Sequence, residues 1–350
     1  MINDFHIIIV TYNRKYLVEN CINSIINQKG VSIHIDVIDN GSNDETRTYL
    51  EKISKFKNEK IKIVNYSIKE NIDPVLASIK NISKFNGNII NFMGDDDWLD
   101  GDRILYEIKQ IFNHSKFDCS SVFTLFEKVN LTSGKEKLNF KKNKLEEFQN
   151  PLKFTKELNS YEIIYSQILQ WRLSWVGKLN KNILDKSNNF YKKIKYHSSA
   201  SFFSKKQIDL LNLSVKDILS RPFGDIGFIQ MFPKGAKALL YEKNGLFIGV
   251  PMVRETNFIK NPTKNARLHS YLKLSLKDSH SLKIPLFSII CSNQFIWEVN
   301  RLKNEIKVKR GLLFRIYRSN EIIFKKFPLR EKIKFIIELW NFNKSNIFHF

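Results

Sequence analysis

The first hundred residues alternate short apolar runs with longer stretches of helical periodicity. Phe5–Val10 is an apolar run suited to a strand buried on both faces. Leu17, Cys21, Ile22, Ile25 and Ile26 then recur at helical spacing between Tyr16 and Gln28. Ile33–Ile38 is a second β-branched run, and a second helical pattern begins at Asp44. Ile61–Tyr66 predicts a third strand, Pro74–Phe85 a third helix with proline in its first turn, and Asn88–Met93 a fourth strand. Strands and helices alternating at this rhythm predict βαβ units and a mostly parallel sheet. Such sheets bind ligands beyond the carboxyl ends of their strands.

After Asp100 the rhythm loosens. Ser120–Val129 reads as a longer strand, and Leu131–Phe140 as a hairpin around Thr132-Ser133-Gly134-Lys135. Beyond residue 150 helical patterns dominate. Arg330–Trp340 is amphipathic, with Ile333, Ile336, Ile337 and Trp340 on one face. The chain has no internal repeat, low-complexity tract or Gly/Ser linker.

Composition narrows the class. With 350 residues, 13% aromatic and 26% charged, the chain is long enough for one large domain or two smaller ones and is not of disordered type. It contains no run of 18 uncharged apolar residues, so no segment is expected to span a bilayer. The opening MINDFHIIIVTYN has no basic residue ahead of its short apolar run and no small-residue cleavage site, which predicts a cytoplasmic protein. Cys21, Cys119 and Cys291 are widely spaced, which excludes a disulfide framework and a cysteine zinc site and leaves them as small buried hydrophobes. The seven histidines show no metal-ligand spacing.

Charge informs only when divided along the chain. The net charge is +22, yet residues 1–100 hold 12 Lys and Arg against 14 Asp and Glu, whereas residues 301–350 hold 13 against 4. Heavy use of Lys, Asn, Ile and Phe throughout accounts for part of the excess but not for its avoidance of the first hundred residues.

Three predicted strands run into polar residues where a ligand belongs. The first ends in Val10-Thr11-Tyr12-Asn13-Arg14, the second in Ile38-Asp39-Asn40-Gly41-Ser42-Asn43-Asp44, and the fourth in Met93-Gly94-Asp95-Asp96-Asp97-Trp98. Three consecutive carboxylates repel one another, and burial would raise the pKa of each. A divalent cation would compensate them, and oxygen-only ligands suit Mg²⁺ or Mn²⁺ held together with substrate phosphates. The alternative is a solvated acidic loop capping a helix that starts near Asp100.

These three motifs, in this order and at this spacing, make residues 5–110 resemble the family 2 glycosyltransferases of GT-A fold. Gly followed by three Asp is similar to the bacterial surface-polysaccharide branch, which includes abequosyltransferase-like enzymes of O-antigen synthesis. The resemblance implies a GT-A domain over residues 1–240, with a nucleotide-sugar-binding half at 1–110 and an acceptor half at 111–240. Residues 241–350 would form a basic, aromatic-rich helical region. It implies that Thr11, Tyr12, Asn13, Arg14, Asp39 and Asp95 bind the nucleotide sugar, Tyr12 beside the base and Asp39 accepting from a base N–H. Asp95 and Asp96 look like the pair that reaches ribose and metal, with Asp97 supporting the metal shell. In Lys69-Glu70-Asn71-Ile72-Asp73-Pro74 the glycine that relatives often carry is missing, so donor contacts there are not expected.

An inverting transferase also needs a base for the acceptor hydroxyl. In the family this is an acidic residue before a helix, about a hundred residues past the metal motif. Asp225, in Pro222-Phe223-Gly224-Asp225-Ile226-Gly227-Phe228, fits, although Asp there also suits an N-cap. Trp171 to Lys178 is a candidate acceptor-side wall, or core. The implied partners are a nucleotide diphosphate sugar and a saccharide acceptor, lipid-linked as in O-antigen or capsule assembly.

Two other classes fit less well. A sugar nucleotidyltransferase would open on a Gly-rich loop where this chain has V-T-Y-N-R-K. A nucleic-acid-binding protein would use the positive charge, but the triple Asp and near-neutral first third do not suit it, and no recognition module appears. Lys307, Lys309, Arg310, Arg315 and Arg318 alternate with Leu312, Leu313, Phe314, Ile316 and Tyr317. That pattern suits the surface of an anionic bilayer, or equally a helix packed on the catalytic domain.

Overall fold

The computed structural model describes residues 3–56, 58–72, 74–114, 119–131, 150–158, 197–210 and 237–251, with Leu329, Arg330, Ile333 and Ile337. The first part alternates as the periodicity predicts: β1 (Asn3–Thr11), α1 (Lys15–Ile26), β2 (Ile33–Asp39), α2 (Glu45–Ile53), β3 (Ile61–Ser67), α3 (Pro74–Asn81) and β4 (Gly87–Gly94). Strand β1 is central, pairing in parallel with β2 and β4, and β2 pairs in parallel with β3. Alternation along β1 sends Phe5, Ile7 and Ile9 into one core with Val18, Cys21, Ile22 and Ile25 of α1. Burying each such side chain contributes about 1.5–3 kcal/mol. Asp44 accepts from the backbone N–H of Thr46 at 2.9 Å and so caps α2, with Glu45 in its first turn.

The rest of the sheet is of a different kind. It contains β5 (Asp97–Leu99), α4 (Ile104–Asn113), β6 (Cys119–Leu131), a 3-10 turn at Pro151–Phe154, β7 (Thr155–Leu158), β8 (Ser201–Ser204), α5 (Lys205–Leu210) and β9 (Lys237–Pro251). The strand order is β3-β2-β1-β4-β8-β6-β9-β5, with β7 also on β9. Strand β8 enters antiparallel to both β4 and β6, while β9 runs parallel to β6 and antiparallel to β5 and β7. This is a mixed α/β sheet, parallel through β1–β4.

Here the reading from periodicity needs correction. Helical patterns were expected beyond residue 150, yet three strands lie among the described residues there. Strands β7 and β8 have only four residues each, too few to display a period, and β8 is buried at every position. The acidic segment does not lead straight into a helix either. Asp97 starts β5, and α4 begins only at Ile104 after a turn through Gly101 at φ +72°.

Polar side chains of α1 and of the turn after it tie these pieces together. Ser24 Oγ accepts from Leu99 N–H at 3.1 Å, and Gln28 accepts from Leu105 N–H while donating to the Gly101 carbonyl. Buried Tyr241 of β9 donates to Glu107 of α4 at 2.7 Å. Cys21 and Cys119 are buried free thiols, as expected, and Cys291 lies outside the described residues.

These elements belong to one compact unit, comprising Met1–Asn159, Tyr196–Leu219 and Phe232–Asn261, so its sheet continues past residue 240 along β9. A second unit comprises Ser160–Lys195, Ser220–Met231 and Pro262–Phe350. In it Leu329, Arg330, Ile333 and Ile337 are helical and exposed. Among the described residues no helix is long and apolar enough to cross a membrane. The expected hairpin beyond Leu131, the Trp171 to Lys178 segment, Asp225, Ile336 and Trp340 lie outside the described residues.

Candidate active site

The carboxyl ends of β1, β2 and β4 lie side by side because Val10 is in register with both Ile38 and Gly94. Three polar loops therefore converge. Thr11, the last residue of β1, donates its hydroxyl to Asp95 Oδ2 at 2.8 Å. Asn13 adopts a positive φ of 51°, a conformation asparagine tolerates better than most residues. It joins the first two loops: its N–H donates to Ser42 Oγ at 3.0 Å, and its Oδ1 accepts from Asn43 N–H at 2.9 Å. Arg14 follows, its N–H donating to Thr46 Oγ1 at 3.0 Å. Its guanidinium Nη1 lies 2.9 Å from Asp95 Oδ1 and 3.4 Å from Asp96 Oδ2. Tyr12 is half-buried beside them.

Asp39 is fully buried at the end of β2. Its Oδ1 accepts from Ser42 N–H at 2.9 Å, and its Oδ2 accepts from Arg47 Nε at 3.1 Å and Ser67 Oγ at 3.2 Å. Carboxylate oxygens have two lone pairs each, so Oδ1 retains capacity for another donor. Next to it, Asn40 donates to Asn71 Oδ1 and to the Ile72 carbonyl, and accepts from Ile72 N–H. A side chain at Gly41, with φ +88°, would collide with Glu70 backbone at 2.6 Å. The segment around Asn71 therefore clamps the Asp39 loop, a role not visible from its missing family glycine.

The three aspartates divide into two environments. Asp95 and Asp96 face Arg14. Asp97 is almost wholly buried, and it accepts from Ser199 Oγ and from Gly249 N–H at 3.1 Å. Burial pushes the Asp97 carboxyl well above the usual range, the charge of Asp96 adds to this, and the two hydrogen bonds only oppose it. Ser199 Oγ also accepts from Gly94 N–H at 2.9 Å, and His197 Nδ1 lies 3.6 Å from Asp97. Burial lowers the His197 pKa to about 4. A Cβ on Gly94 would meet Asp97 Oδ2 at 2.6 Å and Asp96 Oδ1 at 3.0 Å, and one on Gly249 would meet the Asp96 carbonyl at 2.0 Å. Both glycines are needed for the acidic loop to fold this tightly. Cys21, beneath the loop, has its thiol pKa pushed well up by burial and then by the three aspartate charges.

Ser199, His197, Gly249, Arg47 and Asn71 were not anticipated from the sequence. Ser199, His197 and Gly249 lie on segments with no motif of their own, Arg47 stands just past the second polar segment, and Asn71 lies in the segment where no donor contact was expected. The structure also gathers His6, His34 and Asp36, which carry no ligand spacing in sequence. Asn86 N–H donates to His6 Nδ1 at 3.1 Å, leaving that ring's proton on Nε2, 2.8 Å from Asp36. A metal on Nε2 would require both ring nitrogens bare, so this trio is a hydrogen-bonded core network. Burial alone would raise the Asp36 pKa, but hydrogen bonds from His34 and His6 outweigh it and hold the group below its usual range.

Residues 6–167 match the sequence profile of Glycosyl transferase family 2, and this stretch is a family 2 glycosyltransferase domain. The Streptococcus pneumoniae serotype 4 glycosyltransferase GlyA is 26% identical over 108 residues, which are 31% of this chain and 15% of that protein. The chain thus matches a small part of that relative. A crystal structure of S. aureus TarS 1–349 shares the fold, with a TM-score of 0.51 at 13% identity, over 94% of this chain and 82% of that one. The chain has the GT-A fold that its opening motifs imply.

Proposed function

We propose that this chain transfers a sugar from a nucleotide diphosphate sugar to a saccharide acceptor with inversion at the anomeric carbon, in surface-polysaccharide assembly. The observation that carries the reading is the convergence of the Thr11–Arg14, Asp39–Asp44 and Asp95–Asp97 segments at one sheet end. Asp39, through the free capacity of Oδ1, accepts from the base, and Tyr12 flanks it. Asp95, aligned by Thr11, reaches the ribose, while Asn13 and Arg14 line the donor side.

The donor set fits a divalent cation. It is oxygen-only, and it already attracts one positive charge, the Arg14 guanidinium. Asp96 would hold Mg²⁺ or Mn²⁺, and Asp97 would support its shell by fixing the loop through Ser199 and Gly249. Such an ion, when bound, offsets the charge that grows on the diphosphate as the sugar departs. Asp225 takes the proton of the acceptor hydroxyl as that oxygen attacks the anomeric carbon.

The acceptor is lipid-linked in this reading, and the enzyme works at the inner face of the cytoplasmic membrane. Exposed Leu329, Ile333 and Ile337 at helical spacing, within a basic segment, support that placement. Co-sedimentation with anionic liposomes should be strong at low salt and weaken as salt is added. Indifference to such liposomes at low salt removes the membrane from the account. The donor reading is tested by screening nucleotide diphosphate sugars for Mn²⁺-dependent hydrolysis or binding, and it fails if none is hydrolysed or bound.

A further inference from the structure

The adjacent carboxylates of Asp95 and Asp96 need a positive partner whether or not an ion is bound. In this structure the protein supplies it. Arg14 Nη1 reaches both Asp95 Oδ1, at 2.9 Å, and Asp96 Oδ2, at 3.4 Å, whereas Asp97 is turned away toward Ser199 and Gly249. The backbone of Arg14 is fixed at both ends. Its N–H is held by Thr46 Oγ1, and its carbonyl accepts from Val18 N–H at 3.0 Å at the start of α1. Its side chain is a quarter exposed. A planar guanidinium also matches phosphate as well as carboxylate.

We propose that Arg14 is a built-in counter-cation that occupies the acidic loop while the donor is absent and passes to the donor diphosphate when it binds. This rests on the donor and metal reading above and deepens it. Arg14 and a divalent ion compete for the same Asp96 charge. The ion is disfavoured until phosphate oxygens offer Arg14 another partner and complete the ion's oxygen shell. Metal and nucleotide then bind as a coupled pair, each strengthening the other. Arg14 is a positioning residue in this scheme: it keeps Asp95 and Asp96 poised in the empty enzyme, and Thr11 holds Asp95 in the same orientation from the β1 side.

The probe is Mn²⁺ alone, with no nucleotide, followed by electron paramagnetic resonance on the full chain. Arg14→Gln removes the charge and keeps polar bulk, and Arg14→Lys keeps the charge but not the fork. Arg14→Gln should bind Mn²⁺ roughly tenfold more tightly than wild type, because its competitor is gone. Arg14→Lys should stay within about threefold of wild type. In metal-free buffer Arg14→Gln should also melt below wild type, and Mn²⁺ should narrow the gap. Equal or weaker Mn²⁺ binding by Arg14→Gln, with wild type still binding, overturns the competition alone. If Asp96→Ala binds Mn²⁺ as wild type does, the metal assignment falls and takes the competition with it. Should Arg14→Gln fail to fold without metal, wild-type affinity unchanged by Arg14→Lys and restored folding of Arg14→Gln in Mn²⁺ support the proposal, while no rescue by Mn²⁺ counts against it.

Discussion

The two halves of the sheet meet at the acidic loop and treat its carboxylates in opposite ways. The parallel half, β1 to β4, presents Asp95 and Asp96 to Arg14, with Asp95 buried and Asp96 partly open to solvent. The half containing β8 and β9 takes Asp97 inward, against Ser199 and Gly249, where burial disfavours its charge. Adjacent residues of one type thus receive different tasks from different strands. One pair stays beside Arg14, and the third residue anchors the loop to segments more than a hundred residues away.

The largest expected effect falls on the proposed base. Asp225→Asn keeps the side-chain shape and much of any cap but cannot take a proton at neutral pH. Single-turnover kinetics should show a rate lower by roughly 10²–10⁴-fold, with nucleotide affinity little changed. A small stability change with nearly normal rates would make Asp225 a helix cap.

Next comes the anchoring strand. Gly249→Ala places a methyl 2.0 Å from the Asp96 carbonyl, so β9 or the acidic loop must shift. The expected cost is about 1–3 kcal/mol in denaturant unfolding, together with weaker metal-dependent nucleotide binding. Loss of stability with unaltered binding would show that the two halves are less coupled than the contacts imply.

The smallest effect is on pH dependence. Burial holds His197 neutral, with a pKa near 4 against 6.5 for the free side chain. As pH falls below 6.5 the unfolded chain gains a proton that the folded chain does not, so stability is lost from 6.5 down to about 4. His6, also depressed by burial, acts in the same direction. Asp97 acts oppositely: its raised pKa contributes stability at low pH that is lost as pH climbs from the ordinary carboxylate value to the raised one. His197→Gln should therefore flatten the acid side of the melting profile, and parallel profiles for the two proteins would contradict the assignment.

The same division explains what could be read before folding. Strands β1 to β4 carry apolar, Ile-rich stretches separated by helices whose apolar spacing repeats over two turns or more, so both periods show. Thr11 and Asp39 end those strands, Arg14 and Asp95–Asp97 follow closely on them, and the topological rule for parallel sheets pointed to all of them. Strand β8 is four residues of Ser and Phe, and the partners Ser199 and Gly249 have no signature apart from the loop they touch. Asp97 could not be told from Asp95 in a row of identical side chains, because only register with β9 turns it inward. The clamp between Asn40 and Asn71 was hidden for the same reason, being a contact between two loops of ordinary composition.

The central claim is that the loop after β4 holds donor and metal, with Asp96 as the residue facing the ion. Mn²⁺-dependent nucleotide binding by calorimetry, with turnover on the sugar donor found by screening, tests it most directly in Asp96→Ala beside wild type. The account predicts loss of both in the variant, with the melting temperature of the metal-free protein unchanged or raised as like-charge repulsion is relieved. Near-normal binding and turnover in a folded Asp96→Ala protein would contradict it.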